Sequence, residues 1–262
     1  TCAAVSVMLI RAGVSPIATL PIAFLAGALA GMVTGLLNTA LGIPGILASI
    51  LTQISLYSIN LNIMGKANQP VSVDNYPLVV SLRYVTDGSV SRLLFFLGMI
   101  VFLLALIAVM YWYFGTEQGH AIRATGCNGN MARAQGINTN FIKVLALMIS
   151  NGLVGLCGAL YGQFQGASDV NMGRGAIVIG LAAVIIGEVL FGKFASKRKL
   201  AFAFTLASVI LGAVIYYMVY QFVLWLKMPS EDMKLFSAIV VAIFLAIPYL
   251  KEKRTLRKGA SK

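Results

Sequence analysis

Residues 93–114, LLFFLGMIVFLLALIAVMYWYF, contain no charged side chain in 22 positions. A helix of about 20 apolar residues matches the roughly 30 Å hydrocarbon core of a bilayer. It also pairs its own backbone groups, which lipid cannot do for it. Comparable runs occupy 15–37, 45–64, 141–164, 201–226 and 234–249, and 2–10 reads as the tail of another. The run at 176–192 has the length of a re-entrant or marginal span. Charged residues make up 11% of the chain, against about 25% in soluble domains. The expectation is an all-α, polytopic helical membrane protein. It has about seven to eight membrane segments, one of them short or re-entrant, in a single transmembrane domain over 1–262.

Within the spans, small residues recur at helical spacing. Gly27, Gly31 and Gly35 share one face, and Gly155, Gly158 and Gly162 form a similar set, as expected where helices pack closely in lipid. In the span 45–64, Gln53, Tyr57 and Asn60 fall along one side. They either line a polar pathway or bond between helices. Glu188, near the end of 176–192, either anchors a gate, pairs with Lys193, or ends a helix at the interface, where an ionisable group costs least. The longest polar connection is 66–90, and 165–174 is another.

The connection 119–137, GHAIRATGCNGNMARAQGI, has a shape of its own. Residues 121–125 can form a helical turn that Gly126 ends in a left-handed conformation. Asn128 or Asn130 can cap a second short helix over 131–135, which Gly136 ends in the same way. Small side chains (Ala121, Ala124, Ala132) allow close approach of another surface, while Arg123 and Arg133 offer planar donors to carboxylates. On composition alone the same stretch also reads as an ordinary basic loop held on the inner face.

The pattern Gly119-x-Ala121-x-Arg123-Ala124-x-Gly126-x-Asn128-x-x-x-Ala132-x-x-x-Gly136-Ile137 resembles the cytoplasmic coupling loop of ABC importer permeases of the branched-chain amino-acid/ribose type. The resemblance extends over nearly the whole chain. Residues 35–65 and 229–248 are most similar to a bacterial subgroup associated with uptake of tryptophan or other aromatic amino acids. It implies about ten helices per subunit, two permease copies and two ATPase subunits docked on the loop at 116–140. An extracytoplasmic binding protein would deliver the solute to 66–90 and neighbouring loops. ATP and magnesium would be held by the ATPase, so this chain is expected to bind no cofactor. On that resemblance the sequence is expected to be truncated, without the family's first helix and part of its second. It begins without the basic n-region and cleavage site of a signal peptide.

Parity and charge orient the chain in the bacterial inner membrane. The stretch 116–140, the loop 193–199 and the basic tail 251–262 fall on one side. That side carries thirteen of the twenty basic residues and is therefore cytoplasmic. Basic charge distributed in this way excludes nucleic acid as the partner. No G-x-x-x-x-G-K-[ST] loop is present, so any ATP that drives the protein is bound elsewhere. His120, the only histidine, lies in the basic stretch, and no G-x-S-x-G elbow occurs; no catalytic residues are assigned and no enzyme is expected. Cys2, Cys127 and Cys157 lack metal-ligand spacing. The alternative is a secondary transporter or channel for a small polar solute. Such a carrier has no use for a shaped cytoplasmic plug, and it usually needs an ionisable group at depth.

Overall fold

The computed structural model describes residues 1–71, 78–80, 89–173, 175–195, 201–225 and 242. Within these lie α1 (Cys2–Arg11), α2 (Pro16–Thr39), α3 (Gly45–Met64), β1 (Asn68–Pro70), α4 (Ser89–Phe114) and α5 (Glu117–Cys127). They are followed by α6 (Gly129–Ala134), α7 (Thr139–Gln165), β2 (Ala167–Asp169), α8 (Ala176–Ala195) and α9 (Ala201–Trp225). Five helices, α2, α3, α4, α7 and α9, are long and apolar enough to cross a membrane. At 1.5 Å per residue, α3 is about 30 Å long and α7 about 40 Å. The span expected at 234–249 and the tail 251–262 lie outside the described residues, as does most of the loop 193–199.

The chain divides into two compact units, Thr1–Leu104 with Trp112–Met172, and Ala105–Tyr111 with Gly173–Lys262. The first is organised by the antiparallel contact of α2 with α7. Gly27 lies on the backbone of Asn151 and Gly31 on that of Leu147. A Cβ at Gly35 would sit 2.9 Å from the Cα of Val144. Lipid tails are as apolar as the helices, so association depends on this close backbone approach. The second glycine set continues the seam: Gly155 meets Ala23 of α2 and Cys2 of α1, and Gly162 meets Ala3. Gly158 has more room. On the other side of α2, the Thr34 hydroxyl is 2.9 Å from that of Thr52 on α3, which donates to the Ala48 carbonyl at 3.0 Å.

Where α1, α2 and α7 converge, a polar cluster is sealed inside. Gln163 is 1% exposed, and Ser6 and Thr19 are fully buried. The Gln163 Nε2 donates to the Pro16 carbonyl and the Thr19 hydroxyl, both at 3.2 Å, and reaches the Ser6 hydroxyl at 3.5 Å. Ser6 and Thr19 share a 2.9 Å bond. Buried polar groups persist only when partnered, and here each is.

The polar connections 66–90 and 165–174, separate in sequence, meet in a two-stranded antiparallel sheet. Asn68, Gln69 and Pro70 pair with Asp169, Ser168 and Ala167. The Val71 amide extends the ladder to the Gly166 carbonyl at 2.8 Å. The Arg11 guanidinium bonds the Gln69 side chain, and Val7 and Ile10 of α1 bury themselves with Val71 and Leu78. Sheet and α5–α6 therefore lie at opposite ends of α7. The periodicity of the sequence did not reveal the strands, because three residues are too few to establish one.

In the second unit α8 and α9 run antiparallel, with Gly187 on the Ser208 carbonyl and Gly212 on that of Ala183. Ala182, Ile186 and Tyr216 form its buried centre. Helix α8 is 20 residues long, about 30 Å, and extends three residues beyond the expected 192.

Gly31→Ala should drive a methyl group into the backbone of α7 and cost about 1–3 kcal/mol. Gly98→Ala in α4, where nothing lies within 4 Å, should be neutral or stabilising by up to about 1 kcal/mol. Melting of the two variants in detergent checks this contrast.

Candidate functional site

The 116–140 stretch is a chain of three caps. At the end of α4, the Thr116 hydroxyl donates to the Tyr113 carbonyl at 2.6 Å and accepts from the Gly119 amide at 3.4 Å. This folds α5 back against the last turn of α4. A Cβ at Gly119 would lie 2.5 Å from the Tyr113 carbonyl oxygen and 2.8 Å from the Phe114 carbonyl carbon, so only glycine fits.

Helix α5 then continues through Gly126 to Cys127, which corrects the expectation that Gly126 ends a turn. Gly126 has no positive φ, and nothing lies within 4 Å of where its Cβ would be. The break falls at Asn128, whose φ of −154° leaves the helical region. Its side chain accepts from the Met131 amide at 3.1 Å, so α6 begins at Gly129, two residues earlier than expected. Gly136, at φ +84°, turns the chain out of α6 as expected. Asn138 then caps α7 through the Phe141 amide at 3.2 Å, and Arg133 donates to the Thr139 hydroxyl at 3.0 Å.

The residues singled out here divide by orientation. Gly119 and Ala132 are buried, Ala121 and Ile137 half-buried. These hold the junction together. Arg123, Ala124, Gly126, Asn128, Arg133 and Gly136 are exposed. An open depression of about 640 Å³ lies between the elements, lined by Gly115, Glu117, His120, Ala121, Ala124 and Ile137. It is open, and Gly115, Ala121 and Ala124 bring the backbone close to its surface.

Helix α3 places Gln53, Tyr57 and Asn60 on one side, as expected, but they differ in burial. Gln53 and Tyr57 are exposed, whereas Asn60 is buried, its Oδ1 without a hydrogen bond. The packed row of α3 runs through Ala48, Thr52, Asn60 and Met64. Steps of four residues drift by about 40° each on a helix, so by residue 60 the packed row has reached the side marked by Gln53. Asn60 is therefore covered where Gln53 and Tyr57 are not. Among the described residues, Ser49 and Ser55 bond carbonyls four residues back.

The family model for the branched-chain amino acid transport system permease component matches residues 1–248. The chain belongs to this family. The permease is 39% identical, over 89% of its length and 74% of the relative's, to a tyrosine transport system permease protein of Clostridioides difficile. It is 27% identical, over 87% of its length and 61% of the relative's, to an autoinducer 2 import system permease protein of Yersinia pseudotuberculosis. An inner membrane ABC transporter permease protein of Escherichia coli is 25% identical over 68% of this chain and 53% of its own. No solved structure matches.

The permease places Glu188 exposed as the thirteenth of twenty residues in α8. The helix continues to Ala195, so Glu188 does not end it. Gln163 escaped the sequence reading, because one glutamine close to the end of an apolar run looks like an interface residue. Among the described residues no cluster of three or more His, Cys, Asp or Glu could hold a metal.

Gly119→Ala should abolish most solute uptake by the permease, since the turn between α4 and α5 has to open. Gly126→Ala should transport normally. Uptake assays normalised to membrane content distinguish these outcomes, and equal activity would show that the turn carries no function.

Proposed function

We propose that this permease carries a small solute, an amino acid, inward, powered by ATP hydrolysed on a separate ATPase subunit that docks on α5 and α6. The observation that carries the reading is the capped pair itself. Two short helices are held between long spans by Thr116, Asn128 and Asn138, and they turn Arg123, Ala124 and Arg133 outward. The docking end is cytoplasmic, as is the C-terminal tail. The opposite end, with the β1–β2 sheet, receives an extracytoplasmic binding protein. Two copies of the chain form the pore.

An aromatic amino acid is the solute class favoured, on the similarity to a tyrosine transport system permease protein; tryptophan and tyrosine are the first to test. Gln53 and Tyr57 line the pathway. Gln53 is the ninth of twenty residues in α3, near mid-span, and its carboxamide has no partner in the described residues. Leaving such a group in hydrocarbon costs several kcal/mol. That face of α3 therefore meets water, solute or the second copy.

Proteoliposomes containing the permease should take up labelled tyrosine or tryptophan only with the ATPase, ATP and the binding protein. Uptake by the permease alone would overturn the reading. Gln53→Leu should slow uptake several-fold and leave basal ATP hydrolysis unchanged.

A further inference from the structure

The sealed cluster around Gln163 has one member that does not belong to the helices. The Gln163 Oε1 accepts a 3.2 Å hydrogen bond from the Val79 backbone amide. The side chain is 1% exposed, and all three of its polar capacities are used: two donors toward Pro16, Thr19 and Ser6, and the oxygen toward Val79. On either side of Val79, Leu78 and Val80 are 4% and 6% exposed. Leu78 packs with Val7, Ile10 and Val71. Thus a short connecting segment is bolted to the ends of α1, α2 and α7 by one amide and two apolar side chains.

We propose that Gln163 is a positioning residue for the surface on which the solute-binding protein docks. It fixes residues 78–80, and with them the β1–β2 end of the permease, in the geometry that the partner meets. This rests on the functional reading above, in which that end faces outward. The carboxamide suits the task because one face of it satisfies the helix cluster while the other holds the loop. An apolar side chain at 163 could do neither, and a hydroxyl has one donor where the carboxamide has two.

Three substitutions separate loop positioning from helix packing. Gln163→Leu removes both functions. Val79→Pro removes the amide that Gln163 holds and leaves the Gln163 bonds to Ser6, Thr19 and Pro16 in place. Ser6→Ala loosens the cluster but spares the loop bond. In the reconstituted permease–ATPase complex, hydrogen exchange at the Leu78 and Val80 amides should accelerate about tenfold in the first two variants and not in the third. The concentration of tyrosine-loaded binding protein giving half-maximal ATPase stimulation should rise several-fold in the same two, with the maximal rate retained. Unchanged exchange in Val79→Pro, or faster exchange with an unaltered half-maximal concentration, would overturn the assignment. A wild-type complex that ignores the binding protein altogether would instead overturn the functional reading.

Discussion

The contact of glycine with backbone along α2 and α7 is the constraint on which the first unit depends. In water, burying large apolar side chains would hold two such helices together; in lipid that gain is absent, and dispersion across a close approach has to replace it. Gly27, Gly31 and Gly35 permit it on one helix, while the backbones of Asn151, Leu147 and Val144 supply the opposing surface. The Asn151 side chain donates back to the Leu147 carbonyl at 2.9 Å, the carbonyl on which Gly31 lies. Because α7 is fixed there, both of its ends become fixed points. One receives the capped α5–α6 pair and the other carries Gln163 and the sheet.

Several hydroxyls within the spans follow one rule. Thr39, Ser49, Thr52 and Ser55 each donate to a carbonyl four residues earlier, so the hydroxyls cost little in an apolar setting. Gln53 and Tyr57 cannot fold back in this way, since their polar atoms lie too far from their own backbone. Both are exposed on α3.

The spans, the glycine faces and the capped junction were legible because each rests on local rules. Helical spacing set Gly27, Gly31 and Gly35 on one side, Asn128 has the short side chain of a cap, and Gly136 has the freedom that φ +84° demands. Gly126 misled because glycine permits a left-handed turn without requiring one; the extended Asn128 two residues on ends the helix instead. The burial of Asn60 was not legible because a helix face drifts along its length, and the neighbour decides where it is covered. Gln163 and Val79 are 84 residues apart. No periodicity connects them, and only the converging ends of three helices do.

The α2–α7 seam also has a consequence in time. Gly27 and its counterpart Asn151 are separated by about 120 residues of chain, which a ribosome takes roughly 6–25 s to make. Throughout that interval α2 resides in the bilayer with its narrow face turned to lipid. It has to be apolar enough to persist there alone, which its mean hydropathy of 2.0 provides. Helix α3, at 1.4, is less secure, and the Thr34–Thr52 bond gives it an immediate neighbour to lean on while α7 is still unmade. The order of synthesis thus assigns the weaker span to the partner that is already present.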